Sequence, residues 1–164
     1  MTLDPLFAAP PVVQFHVAVA MISLLIGPIA IFPRRRKRLH KTVGYFWVLA
    51  MVATALSSFF IHSFDVLWGL SPIHFFAFLT LYSVTMGIWH ITQGNVAAHR
   101  NHMVGLYGQG LLIAGLANFL PGRTTNRVFF ESSPELGYVM IALGGICIVT
   151  WMSRGGVRRT PVAA

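Results

Sequence analysis

Cysteine, acid and charge of any kind are scarce in this chain. A single cysteine, Cys147, stands among 164 residues, which excludes an intrachain disulfide and every CxxC zinc or redox motif. Only 10% of the residues are charged, where an ordinary soluble domain carries about 25%. With 55% hydrophobic residues and a mean hydropathy of +0.69, the balance argues against a soluble fold. No HExxH, no GxSxG and no paired carboxylates lie in the apolar runs, so neither a metalloprotease centre nor a hydrolase nucleophile is visible. Nor does any Asp, Glu, Lys or Arg fall at hydrocarbon depth, where a proton-coupled carrier needs one. Internal repeats and low-complexity tracts are absent, and the length suits one domain.

What the sequence has is apolar runs of spanning length. A hydrocarbon core of about 30 Å takes around 20 helical residues, and runs of that order occupy 12–32, 42–61, 72–91, 103–121 and 134–152. The last is short unless Pro134 and Glu135 supply its first turn behind Ser133 as N-cap. Polar and apolar positions do not alternate strictly, so helices are expected rather than barrel strands. The fold class read here is an all-α integral membrane bundle of five helices in a single domain.

The charges orient it. Arg34, Arg35, Arg36, Lys37, Arg38 and Lys41, then Arg100, then Arg154, Arg158 and Arg159 fall in alternate connections on one side, with no acid among them. Asp4, Asp65, Glu131 and Glu135 fall on the other, with Arg123 and Arg127. By the positive-inside rule the amino terminus is outside and the carboxyl terminus cytoplasmic. The leader has no basic n-region, so no cleavable signal peptide is expected. Arg34 to Arg38 then read as an orientation signal lying against anionic headgroups; without interleaved aromatics they do not suit nucleic acid. Gly27, Pro28 and Pro33 read as a kink and stop in the first helix. Gly105, Gly108, Gly110, Ala114, Gly115 and Ala117, with Gly144 and Gly145, read as close helix contacts. Val128, Phe129 and Phe130 are placed at the outer interface, and Gln14, Gln109 and Asn118 are read as interhelical hydrogen-bonding groups.

The remaining chemistry is histidine. His16, His62 and His74 fall towards the outside, and His40, His90, His99 and His102 towards the cytoplasm. Each is compatible with a haem or metal ligand, a proton relay, or a simple headgroup hydrogen bond. Gly94 and Asn95 read as a helix stop and an N-cap, which folds the third and fourth helices into a tight hairpin. His90 and His99 then stand at matched depth, where two imidazoles facing one another suit a planar cofactor such as haem b. His102 shares the His99 face at i+3. His40 and His62, 22 residues apart, return to within about 40° of one face on an unbroken helix. His74 and His90 differ by about 160° and face different neighbours, so a two-haem pattern of stacked ligands on one helix is not reproduced. Outside, Asp65 is the carboxylate able to orient one of His16, His62 and His74.

Ser71-Pro72-Ile73-His74, then Gly94-Asn95-Val96-Ala97-Ala98-His99-Arg100 with Met103, then Ala114-Gly115-Leu116 and Leu120-Pro121-Gly122-Arg123, resemble the bacterial membrane-protein family known as domain of unknown function 2306. His40-Lys41-Thr42-Val43-Gly44-Tyr45 and the first-helix stretch from His16 to Pro28 are similar to that family as well. The resemblance implies a polytopic protein of a bacterial inner membrane, assigns no activity, and carries His16, His40, His74 and His99 as candidate positions. Three functions stay open on the sequence: electron transfer through haem b, a cofactor-free accessory subunit of a larger membrane complex, and a carrier of small solutes or lipid.

Overall fold

The computed structural model describes residues 2–31, 37–61, 72–151 and 153. No strand occurs among them. A short α1 (Asp4–Phe7) leads into α2 (Pro11–Ile31), followed by α3 (Lys37–Ser58) and α4 (Pro72–Thr92). The fourth rod, 96–117, is continuous but changes pitch twice: α5 (Val96–Gly105), a π-helical segment (Leu106–Ile113) and α6 (Ala114–Ala117). Then come α7 (Thr124–Phe130) and α8 (Leu136–Trp151). Three helices, over Pro11–Ile31, Arg38–Ser58 and His74–Thr92, are long and apolar enough to cross a membrane, and Leu136–Trp151 is a shorter apolar helix.

The local signals explain most boundaries. Gly94 takes a φ of 76° beyond α4, where glycine has no Cβ to clash. Asn95 caps α5, its side chain accepting from the Ala98 N–H at 3.0 Å. The expected α4–α5 hairpin is therefore present. Other expectations need correcting. α3 begins five residues ahead of the apolar run and ends at Ser58, because the basic residues and His40 are acceptable in an exposed helical turn. α8 begins at Leu136 rather than Pro134: residues 133–136 form a turn in which the Leu136 N–H donates to the Ser133 carbonyl at 3.1 Å. Ser133 thus contributes its backbone and not a side-chain cap.

Packing closes a ring of four rods. α2 lies on α3, α3 on α4, α4 on α5 and the π segment, and the π segment returns to α2. α8 leans on the fourth rod from outside the ring, with Gly144 admitting Leu116 to its surface. α1 and α7 pack together at the end opposite the hairpin; we term these the cap end and the hairpin end. Beneath the cap, fully buried Asn126 donates to the carbonyls of Phe119 and Pro134, both at 2.8 Å, tying the end of the fourth rod to the start of α8.

The core fills the hairpin half. Ala30, Ile31, Trp47, Met51, Val84, Met103, Val104, Leu106 and Leu111 form one buried cluster. Two glycines let it close. A Cβ at Gly27 would lie 2.6 Å from Tyr107 Cδ2 and 3.0 Å from Trp47 Nε1, and one at Gly87 would strike the Met103 methyl. Pro28 does not end its helix, since α2 runs on to Ile31. Proline has no N–H, so the Leu24 carbonyl four residues earlier loses its helical donor. The Tyr107 hydroxyl donates to that carbonyl at 3.2 Å, and Trp47 Nε1 donates to the neighbouring Ser23 carbonyl at 3.0 Å. Around Gly27 and Pro28 the helix forms a socket for two aromatic side chains; Pro33, read as the stop, lies outside the described residues.

Candidate functional site

At the cap end the ring of rods does not close. A half-open cavity of about 60 Å3 lies between α2, α3, α4 and the fourth rod. His16 and Ala20, Met51, Thr54, Ala55 and Ser58, Phe76, Ala77 and Thr80, and Gly110, Leu111, Ala114, Gly115 and Asn118 line it. The π segment supplies part of this wall. A π turn inserts an extra residue per turn and bulges the backbone, which is frequent at functional sites, and the small residues Gly110 of this segment and Ala114 and Gly115 of α6 line the cavity.

His16 is held in a defined state. Its Nδ1 lies 2.9 Å from Ser57 Oγ, and Ser57 Oγ donates to the Thr54 carbonyl at 3.0 Å. The hydroxyl has one proton, and a carbonyl only accepts. Ser57 Oγ therefore accepts from His16 Nδ1–H, which leaves Nε2 as the ring's second polar atom on a residue of the cavity wall.

His74 is buried at 4% exposure and stacks on Phe59 with ring centroids 5.6 Å apart. It is not part of the cavity lining, so His16 and His74 do not share a cavity. His62 and Asp65, the other parts of the expected outer group, lie outside the described residues.

At the hairpin end the histidines meet, in a different pairing from the one expected. His90 packs against His102, ring centroids 5.3 Å apart and planes 24° apart, with the edge of Tyr82 on His102 at 6.3 Å. His99 turns instead to α4, where its Nδ1–H donates to the Gly87 carbonyl at 2.8 Å. The hairpin argument fixed depth correctly but not azimuth: at i+3 it is His102 that faces His90. Direct ring contact leaves no layer for a planar group between this pair. His40 is exposed on the first turn of α3, away from these rings. No group of three or more His, Cys, Asp or Glu able to hold a metal occurs among the described residues. Of the basic run, Arg34, Arg35 and Arg36 lie outside the described residues, and Arg38 is exposed.

Of the polar groups expected to bond between helices, Gln14 does so and Asn118 does not. Gln14 donates to the carbonyls of Phe7 and Ala9, stapling α1 to α2, Asn118 donates to Ala114 within its own rod, and Gln109 is exposed. For Asn118 a carbonyl of the preceding turn is nearer than any neighbouring helix. In the cap, Val128 is buried, while Phe129 and Phe130 cluster with Phe119.

Sequence reasoning missed Ser57, Thr54, Ser58 and Thr80 as parts of a site. Their only signal is a concentration of hydroxyls at the ends of α3 and α4 facing the glycine-rich rod. No curated protein and no solved structure matches the chain significantly. The family profile described as "Predicted membrane protein (DUF2306)" matches residues 13–152. That match runs from the first turn of α2 to the end of α8 and takes in both histidine groups, so the chain belongs to the DUF2306 family of membrane proteins.

Proposed function

We propose that this is a five-span protein of a bacterial inner membrane, amino terminus outside and carboxyl terminus cytoplasmic, that binds a small molecule in the outer half of its bundle. Besides the three long apolar helices, the continuous rod 96–117 is about 30 Å long at roughly 1.5 Å per residue. α8 with its leading turn supplies the fifth crossing. Arg38, Lys41 and Arg100 then meet cytoplasmic headgroups. A reporter fused after Ala164 is expected to be active only in the cytoplasm; alkaline phosphatase activity there contradicts this orientation.

The observation that carries the binding reading is His16. One ring nitrogen is committed to Ser57, and the residue borders a cavity with room for about two waters' worth of volume, at roughly 30 Å3 each. The test is saturable binding of a small alkylated aromatic to the full chain in lipid nanodiscs, followed by ligand-observed NMR. Ala20→Leu, which fills the cavity from α2, should abolish it, and absence of binding to the unaltered chain removes the reading.

A second reading, haem b held for electron transfer, is favoured by His99. An imidazole whose Nδ1–H is fixed on a backbone carbonyl is oriented as axial ligands are, with Nε2 left for iron. The contact between His90 and His102 means that these two do not clasp a haem between them, so His99 would take its second ligand elsewhere. A reduced-minus-oxidised absorption band that disappears in His99→Ala supports this reading, and a featureless spectrum of purified protein removes it.

A further inference from the structure

Resting on the cavity reading above, we infer that the site selects a neutral, lipid-soluble molecule bearing a hydroxyl, one that donates a hydrogen bond, over the same molecule with that proton replaced by methyl. The reason lies in where the wall's own protons go. Thr54 Oγ1 donates to the Ala50 carbonyl at 2.8 Å, Ser58 Oγ to Ala55 at 2.7 Å, and Asn118 Nδ2 to Ala114 at 3.4 Å. His16 Nδ1–H goes to Ser57, whose proton goes to Thr54. These donors are turned onto nearby backbone carbonyls or a hydroxyl, the usual resort of hydroxyls in a helix that lacks water.

Acceptors outnumber donors among what remains. His16 Nε2, Thr54 Oγ1, Ser58 Oγ and Asn118 Oδ1 keep lone pairs, against the second Asn118 amide proton and the Thr80 hydroxyl on the donor side. A ligand oxygen with no proton brings lone pairs towards lone pairs and leaves polar groups unsatisfied at low dielectric. A hydroxyl answers the imidazole. Among the described residues no carboxylate lines the cavity, so they offer an ammonium ligand no counter-charge and favour a neutral one. Size sets the rest. The volume of about 60 Å3 is well below the roughly 150 Å3 of a cavity that encloses benzene. The hydroxyl head enters, and the remainder of the molecule occupies the open mouth.

The discriminating experiment compares 4-butylphenol with 4-butylanisole, its methyl ether, on the full chain in nanodiscs, with empty nanodiscs as the partition reference. The phenol is expected to bind about tenfold tighter, the discrimination of one satisfied buried hydrogen bond. His16→Ala should abolish the preference, so that phenol and ether bind with equal affinity. Ser58→Ala, which removes one acceptor and keeps the imidazole, should give a smaller loss in the same direction if the His16 variant fails to insert. Equal affinity for both probes overturns the selectivity while leaving the cavity reading intact. Failure of both probes to bind overturns the cavity reading itself. A phenol preference unchanged in both variants also overturns the inference, because the preference then belongs to some other surface.

Discussion

The two ends of the four-rod ring are made from the same helices and differ in what fills the middle. At the hairpin end, Gly27 and Gly87 draw the rods together around Trp47, Met51, Met103 and Leu106, and three side-chain hydrogen bonds tie one rod to another: Trp47 to Ser23, Tyr107 to Leu24, His99 to Gly87. At the cap end, short side chains and a π segment hold the rods apart, and the hydroxyls bond mainly to their own helices. The first arrangement spends its polar groups on cohesion. The second leaves lone pairs around an empty volume, as a binding site does and a packing defect need not.

Substitutions of matched size separate the halves. Gly27→Leu is expected to have the largest effect, about 3 kcal/mol of stability, because the incoming side chain meets the Tyr107 ring and Trp47 rather than a flexible chain end. Ala20→Leu, one helical face nearer the cap and bordering the cavity, should cost less than about 1 kcal/mol while removing ligand binding. Thermal unfolding of both in nanodiscs checks the pair, and equal losses would break the distinction between a packed half and an open one.

Tyr107→Phe is next in size, at about 1 kcal/mol for one buried hydrogen bond. A double-mutant cycle isolates its cause. Pro28→Ala restores the N–H that Leu24 lacks, so the loss on Tyr107→Phe should shrink in that background. An unchanged loss would mean that the Tyr107 hydroxyl stabilises the fold by something other than answering the carbonyl that Pro28 orphans.

Much of this was legible in the sequence where the signal is local. Helix lengths follow from apolar runs, and the α4–α5 turn follows from Gly94 and Asn95, because a positive φ and an N-cap are decided within four residues. Pro28 names the orphaned Leu24 carbonyl, but its donor sits 83 residues away in Tyr107, and no local pattern carries that. The glycines of the fourth rod read alike as close contacts but divide in the fold: Gly110 is close to Leu106 and Thr80, whereas Gly115 meets nothing. Histidine depth was readable from turn symmetry, while the choice of His102 over His99 as the partner of His90 depends on rotation about the rod axis. The hydroxyl wall was invisible, since Thr54, Ser57 and Ser58 look like ordinary helix-end residues until α2 brings His16 across to them.

The most direct test is the protonation of His16 in lipid, read from its two 15N ring resonances by solid-state NMR with assignment by a His16→Gln variant. The account predicts a neutral ring with the proton on Nδ1 and a bare Nε2, and a shift of the Nε2 resonance when 4-butylphenol, but not 4-butylanisole, is added. A ring protonated on Nε2, or an Nε2 resonance indifferent to the phenol at saturating binding, would contradict it.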